Sequence, residues 1–230
     1  MSDSIKQYLI QLYDEYKDQS WTHPRTLLLL AVLTKNLGYK NFVEVGTWLG
    51  AVPIMVKKIE NYFNSDELSN FVLIENFVDH VSNGLEIANN DSLIQHINTH
   101  VSNINITVYD HVSEINSRID VIHFDSVKYQ RELITQFDQL KKYFTANTLY
   151  IFDDYIAEWP DVAYCVDVIA SYNNLVVVAA FGSKIYLCSP KLKQHILRLI
   201  KNYQELSSYI DVRTTIKHGD VLGSNYNLNL

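Results

Sequence analysis

The chain has 230 residues, 47% of them hydrophobic and 20% charged, a balance that suits one globular domain with a sizeable core. Its net charge of −7 and pI near 5.6, with no basic run, exclude nucleic acid or an anionic membrane as the main partner. The opening segment MSDSIKQYLIQLYDEYKD has no apolar signal region, and the apolar run Leu27–Leu33 is far too short to span a bilayer, so the expected location is cytoplasmic. Cys165 and Cys188 lack a metal-ligand spacing and read as reduced, buried thiols.

In chain order, Ile5, Tyr8, Leu9, Leu12 and Tyr16 fall at helical spacing and predict an amphipathic first helix. Thr22 is a candidate cap and Pro24 a helix start, with the helix running to about Leu37 and Gly38 stopping it. Phe42, Val43 and Val45 predict a buried strand, and a helix is expected over about Pro53–Phe63. Phe71–Ile74 is the second strand, followed by helices at about Asp79–Asn89 and Leu93–Val101. Ile104–Tyr109 and Ile119–Phe124 are the third and fourth strands; a helix over roughly Gln130–Tyr143 leads to a fifth strand, Thr148–Phe152. Another helix follows Pro160. Leu175–Phe181 and Lys184–Cys188 are joined by only Gly182-Ser183, which makes them an antiparallel hairpin. A helix over Lys191–Tyr209 and a polar tail close the chain. Alternating strands and helices predict an α/β fold: a mostly parallel sheet, one strand reversed, helices on both faces. No repeat, low-complexity linker or domain break is visible, so residues 1–230 read as a single domain.

The stretch NFVEVGTWLGAVP, residues 41–53, organises the rest. A strand carrying Glu44 runs into a turn bracketed by Gly46 and Gly50, and Pro53 sits in the opening turn of a helix, where its missing N–H does no harm. This layout brings backbone N–H groups up to a nucleotide-like ligand. It is not a dinucleotide fingerprint, because Gly46 and Gly50 are four apart and the glycine triplet is absent. The pattern E-x-G-x-x-x-G resembles motif I of class I S-adenosylmethionine (SAM) methyltransferases, closest to the O-methyltransferase variant.

Nearly every strand then ends in an acid: Glu75 closes the second, Asp110 with His111 the third, Asp125 the fourth, and Asp153-Asp154 the fifth. In open α/β sheets ligands bind outside these carboxyl ends. So acidic a rim repels itself unless something positive sits there, either a divalent cation or the sulfonium and amino groups of SAM. A carboxylate at Glu75 suits the hydroxyls of a ribose. Asp125 precedes Lys128 by three residues, and Asp153-Asp154 follow after one helix and one strand. This arrangement resembles the cation-dependent O-methyltransferases of the catechol and caffeoyl-CoA type, and the macrocin-type sugar enzymes, over roughly residues 41–189.

The resemblance implies a Rossmann-like class I methyltransferase fold with strand order 3-2-1-4-5-7-6. Residues 1–40 would supply N-terminal helices, 41–189 the SAM-binding core, and 190–230 a C-terminal helix and tail. It implies SAM held by Glu44, Gly46, Thr47, Gly50, Glu75, Asp110, His111 and Asp125, and Mg²⁺ or a similar cation on Asp125, Asp153 and Asp154. A metal there would lower the pKa of a bound hydroxyl. Lys128, beside Asp125, is the candidate base, with His23 as the alternative. The expected activity is methyl transfer to a hydroxyl of a small molecule such as a catechol, a sugar or a natural-product diol, by a homodimer on family analogy. A metal-independent methyltransferase and a non-catalytic SAM-fold interaction module are the alternatives. Trp21, His23, Tyr155 and Trp159 are candidates for stacking on the acceptor. His123 reads as a hydrogen-bonded core histidine. Two departures stand out: Val52 replaces a common small hydroxyl residue, and Ala146-Asn147 replace a glycine pair, Asn being tolerant of the left-handed conformation.

Overall fold

The computed structural model describes residues 3–20, 22–125, 130–155, 158–181 and 183–202. Helix α1 (Asp3–Tyr16) forms where expected, and its stripe of Ile5, Leu9, Leu12 and Tyr16 is buried. The chain does not then enter one continuous helix at Pro24. Pro24–Leu27 make a 3-10 turn, and α2 (Leu28–Leu37) follows. The cap is His23 rather than Thr22: its Nδ1 accepts the Arg25 N–H at 3.1 Å. The Thr26 N–H and hydroxyl both donate to the His23 carbonyl, at 2.9 and 2.7 Å, which tightens the turn to i→i+3 bonding. Residues Leu28 to Thr34 are buried on every side of α2, as a core helix requires. Gly38 ends it at φ +63°, as expected.

Strand β1 (Asn41–Val45), helix α3 (Ala51–Tyr62) and strand β2 (Asn70–Ile74) match the reading to within two residues. The next helix is much shorter than expected: α4 is Val78–Ser82, and Gly84 at φ +67° lies just beyond its end. Asn89 caps the following helix, α5 (Asn90–His100), in a reciprocal pair with Ser92, so it cannot also end the one before. Strand β3 (Asn105–Tyr109) and strand β4 (Ile119–Phe124) follow, then α6 (Gln130–Leu140). Strand β5 (Phe144–Phe152) begins four residues earlier than expected, 144 against 148. Asn147 therefore lies inside a strand and is not among the residues with positive φ, so its left-handed tolerance is not used. Helix α7 (Pro160–Tyr172), the hairpin β6 (Val176–Phe181) and β7 (Lys184–Cys188), and α8 (Pro190–Asn202) complete the described elements. The part of the last predicted helix beyond residue 202 lies outside the described residues.

The strands form one seven-stranded sheet in the order β3-β2-β1-β4-β5-β7-β6, the order the resemblance implies. By contacts the chain divides into two compact units, Met1–Ile115 and Asn116–Leu230. In the first, β1, β2 and β3 are parallel with in-step register, Val45 opposite Ile74 and Ile74 opposite Tyr109. Helix α3 packs on α2 and α5. In the second, β4 and β5 are parallel, and β7 is the reversed strand, antiparallel to both β5 and β6. Helix α6 packs on α7, and α8 on β6 and β5. Cys165 and Cys188 are buried free thiols. Burial pushes both up, to about 11 and about 12, so neither is a reactive thiolate. Among the described residues no helix is long and apolar enough to cross a membrane.

Candidate functional site

In the first unit, the predicted site residues Glu44, Gly46, Thr47, Gly50, Glu75, Asp110 and His111 lie at or beyond the carboxyl ends of β1, β2 and β3. The turn after β1 needs three left-handed residues in close order: Gly46 at φ +86°, Trp48 at +52° and Gly50 at +76°. A Cβ on Gly50 would also lie 2.8 Å from the Ile97 side chain of α5, which would have to shift, so a larger residue there meets a packing conflict besides the left-handed backbone. The Gly46 N–H donates to the Ile74 carbonyl at 2.9 Å, tying the turn to β2. Glu44 is fully buried in β1. The Thr47 hydroxyl is buried in the turn and has no hydrogen-bond partner among the described residues.

Glu75 follows β2, and its carboxylate faces that turn. One oxygen accepts the Trp48 N–H at 2.7 Å and the other the Asn76 N–H at 3.1 Å. A carboxylate has about four acceptor positions, so this one is fixed in orientation with capacity to spare. His80, on α4, stands beside it. The His80 Nδ1 lies 2.6 Å from the Ile87 carbonyl, and its Nε2 is 3.9 Å from Glu75 Oε1. Its buried ring packs edge-on against Trp48 and Phe77, at 4.4 and 5.1 Å between centroids. The sequence reading missed His80; its only signal was a place five residues after Glu75, at 80 against 75. Next to these residues a cavity of about 750 Å³ is lined by Asn76, Phe77 and Val78 after β2, by Asn89 to Asp91 at the start of α5, and by Asp110 after β3. Asp110 is thus brought to the cavity, whereas His111 caps the short turn that follows, its N–H donating to Glu114 at 3.0 Å.

In the second unit, Asp125 follows β4 and Asp153-Asp154 follow β5. The three acids line one crevice with Phe124, Phe152, Leu133 and Val162. The positive charge the rim calls for is supplied by the chain itself. The Lys184 ammonium, 1% exposed at the head of β7, is ion-paired to Asp153 Oδ2 and lies 3.9 Å from Asp125 Oδ2 and 2.9 Å from His123 Nε2. The other Asp153 oxygen accepts the Ser183 hydroxyl and the Asp154 N–H. Burial works against the charge on Asp153, but Lys184, His123 and these hydrogen bonds outweigh it and hold the carboxyl below the usual range. His123 is a buried, hydrogen-bonded core residue, as read. Lys184 was missed; its only signal was a lysine opening the apolar strand KIYLC, which does not say what it faces.

Lys128 lies outside the described residues, as does Trp21. His23 is occupied as the cap of the Pro24 turn, stacks on Tyr13 at 4.8 Å, and is pushed down to about 4 by burial and then by Arg25. A ring so placed is a weak base at neutral pH. Tyr155 is buried, with its hydroxyl donating to Asp167 at 3.1 Å, so it packs rather than offering a stacking face; Trp159 is 41% exposed.

No protein-family model matches the sequence, and no curated protein matches it. Many solved structures share its fold. They include the O-methyltransferase NovP, 12% identical, with a TM-score of 0.54 over 72% of this chain and 79% of that one. An O-methyltransferase from Bacillus cereus in complex with SAH is 18% identical, with a TM-score of 0.53 over 82% and 92%. SAH-bound methyltransferase PaMTH1 of Podospora anserina is 10% identical, with a TM-score of 0.53 over 82% and 94%. At such identities the likeness is one of fold, and the fold is the Rossmann-like one of class I methyltransferases.

Proposed function

We propose that this protein is a SAM-dependent O-methyltransferase acting on a hydroxyl of a small molecule. The observation that carries the reading is the Glu75 carboxylate, locked by the Trp48 N–H of the glycine turn beside a cavity of about 750 Å³ at the ends of β2 and β3. That volume lies within the range of small-ligand sites. The residues fit the adenosyl ligand. Glu75 keeps acceptor capacity for the two ribose hydroxyls, and the buried Thr47 hydroxyl lacks a partner within the described chain. Asp110, which lines the cavity, would stand by the adenine, and Gly46 and Gly50, both at positive φ, would let the backbone come close to the amino-acid end beside Glu44. Val52, an apolar, buried residue of α3, offers no hydroxyl to the ligand carboxylate, which backbone N–H groups of the turn would have to hold instead.

SAM, when bound, supplies a methyl group activated on a sulfonium. The chain's own part is to orient the acceptor and take its proton. Lys128 is proposed as the base and Asp125 as its neighbour at the acceptor, on the strength of their spacing after β4. Much of the rate would come from positioning, which supplies on the order of 7–11 kcal/mol in well-oriented reactions. The Mg²⁺ expected on Asp125, Asp153 and Asp154 does not fit the side chains as they stand, because Asp153 is already spent on Lys184 and Ser183. Of the sequence-based alternatives, methyl transfer without metal is therefore the one favoured. A thermal-shift series with SAM, S-adenosylhomocysteine and NAD tests the function: the first two raise the melting temperature and NAD does not. No shift with either adenosyl ligand would leave an interaction module as the better reading.

A further inference from the structure

We propose that Lys184 is the resident cation of the β4–β5 rim, standing where the resemblance expects a divalent metal, and that the rim works without one. The inference rests on the function proposed above only in taking this rim to serve the acceptor. It begins with strand register. β5 and β7 are antiparallel, with Ile151 opposite Tyr186 and Phe152 opposite Ile185. The next step along the pair sets Asp153 against Lys184, as opposite charges across two strands. Lys184 is therefore placed by the sheet itself, not recruited by a flexible arm.

Its surroundings account for two of its donors, on Asp153 Oδ2 and on His123 Nε2 at 2.9 Å, and Asp125 Oδ2 stands 3.9 Å away as a second, longer ion-pair partner. Buried to this extent, a lysine is tolerated only among such partners. Asp153 is equally committed, since its second oxygen serves Ser183 and the Asp154 N–H. The Tyr155 N–H donates to the Ser183 carbonyl at 2.8 Å, so the hairpin is stitched to the segment that carries both acids. Mg²⁺ demands octahedral oxygen ligands and keeps several waters. The crevice that Asp125, Asp153 and Asp154 line with Phe124, Leu133, Phe152 and Val162 is about 10 Å³, space for about one water-sized sphere. An ammonium hydrogen-bonded to Asp153 would also repel a divalent ion bound to the same carboxylate. Lys184 is thus a positioning residue: it fixes the direction of the Asp153 carboxylate and places a positive charge beside Asp125.

Manganese is the probe. Mn²⁺ titrated into the full wild-type chain, with free ion followed by EPR, shows no saturable loss of signal at equimolar protein. Lys184→Met keeps the length of the stem but removes the charge, and it gains a saturable Mn²⁺ site that adding Asp153→Asn abolishes. Lys184→Arg keeps the charge and excludes Mn²⁺ as the wild type does. A stoichiometric Mn²⁺ site in the wild type that Asp153→Asn removes overturns the proposal, as does a folded Lys184→Met that binds none. If Lys184→Met fails to fold, the wild-type and Asp153→Asn titrations decide alone. The Mn²⁺ result does not depend on SAM binding, which the thermal-shift series reads separately.

Discussion

Glu75 does two things with one carboxylate: one oxygen braces the glycine turn through the Trp48 N–H and the other accepts the Asn76 N–H at the start of the loop that lines the cavity. Hydrogen bonds to a charged group contribute about 1.5–3 kcal/mol each. Glu75→Ala is expected to weaken SAM binding by at least about tenfold, one such bond, as read by calorimetric titration. Glu75→Gln should lose less, since it retains one acceptor oxygen. Gly50 makes a prediction of a different kind. Its φ of +76° and the 2.8 Å approach of Ile97 mean that Gly50→Ala adds both backbone strain and overpacking. A loss of about 2–5 kcal/mol in urea denaturation is expected, the sum of the two effects. A partial recovery in Gly50→Ala with Ile97→Val would identify the packing share.

Among the elements, the β6–β7 hairpin does more than close the sheet. Its first residue after the turn, Lys184, latches it to β5 through Asp153. Removing one member of a buried ion pair typically costs about 3–5 kcal/mol, so Lys184→Met and Asp153→Asn should each fall in that range by chemical denaturation. The double variant should cost less than the sum. The same pair sets an acid limit. The folded pKa of Asp153 is depressed, so its stabilisation is present above the ordinary carboxylate value of about 3.9 and is lost as pH falls below it toward the folded pKa. The wild type should lose melting temperature through this window more steeply than Asp153→Asn. The 3-10 turn at Pro24–Leu27 titrates higher. His23 is held neutral down to about 4 in the fold, against about 6.5 when exposed, so its contribution falls away as pH drops from 6.5 to 4. His23→Asn keeps a capping acceptor and should flatten the melting-temperature profile over that interval.

For the molecule as a whole, ligand linkage is the measurable quantity. SAM at about 100 times its Kd should stabilise the folded chain by about 2.7 kcal/mol. For a chain of this length that is a rise of roughly 5–10 °C in Tm. The stabilisation should be the same with and without EDTA, because the rim carries its own cation.

The order of strands and helices was legible because burial leaves its mark on the chain: the runs at β1, β2, β4 and β7 are short, apolar and bounded by turn residues. The acids at the strand ends were legible for the same reason, since strand boundaries fix which residue comes next. Boundaries set by side-chain caps were not, as His23 and Asn89 show: several nearby residues could cap, and only the folded chain selects one. Nor was the cation of the rim. Lys184 lies 31 residues beyond Asp153 in the chain, and only the antiparallel register of β7 on β5 sets the two charges face to face. Local pattern decided which elements form. Long-range pairing decided which charges meet, because Coulomb energy depends on distances in space that the spacing of residues along the chain does not contain.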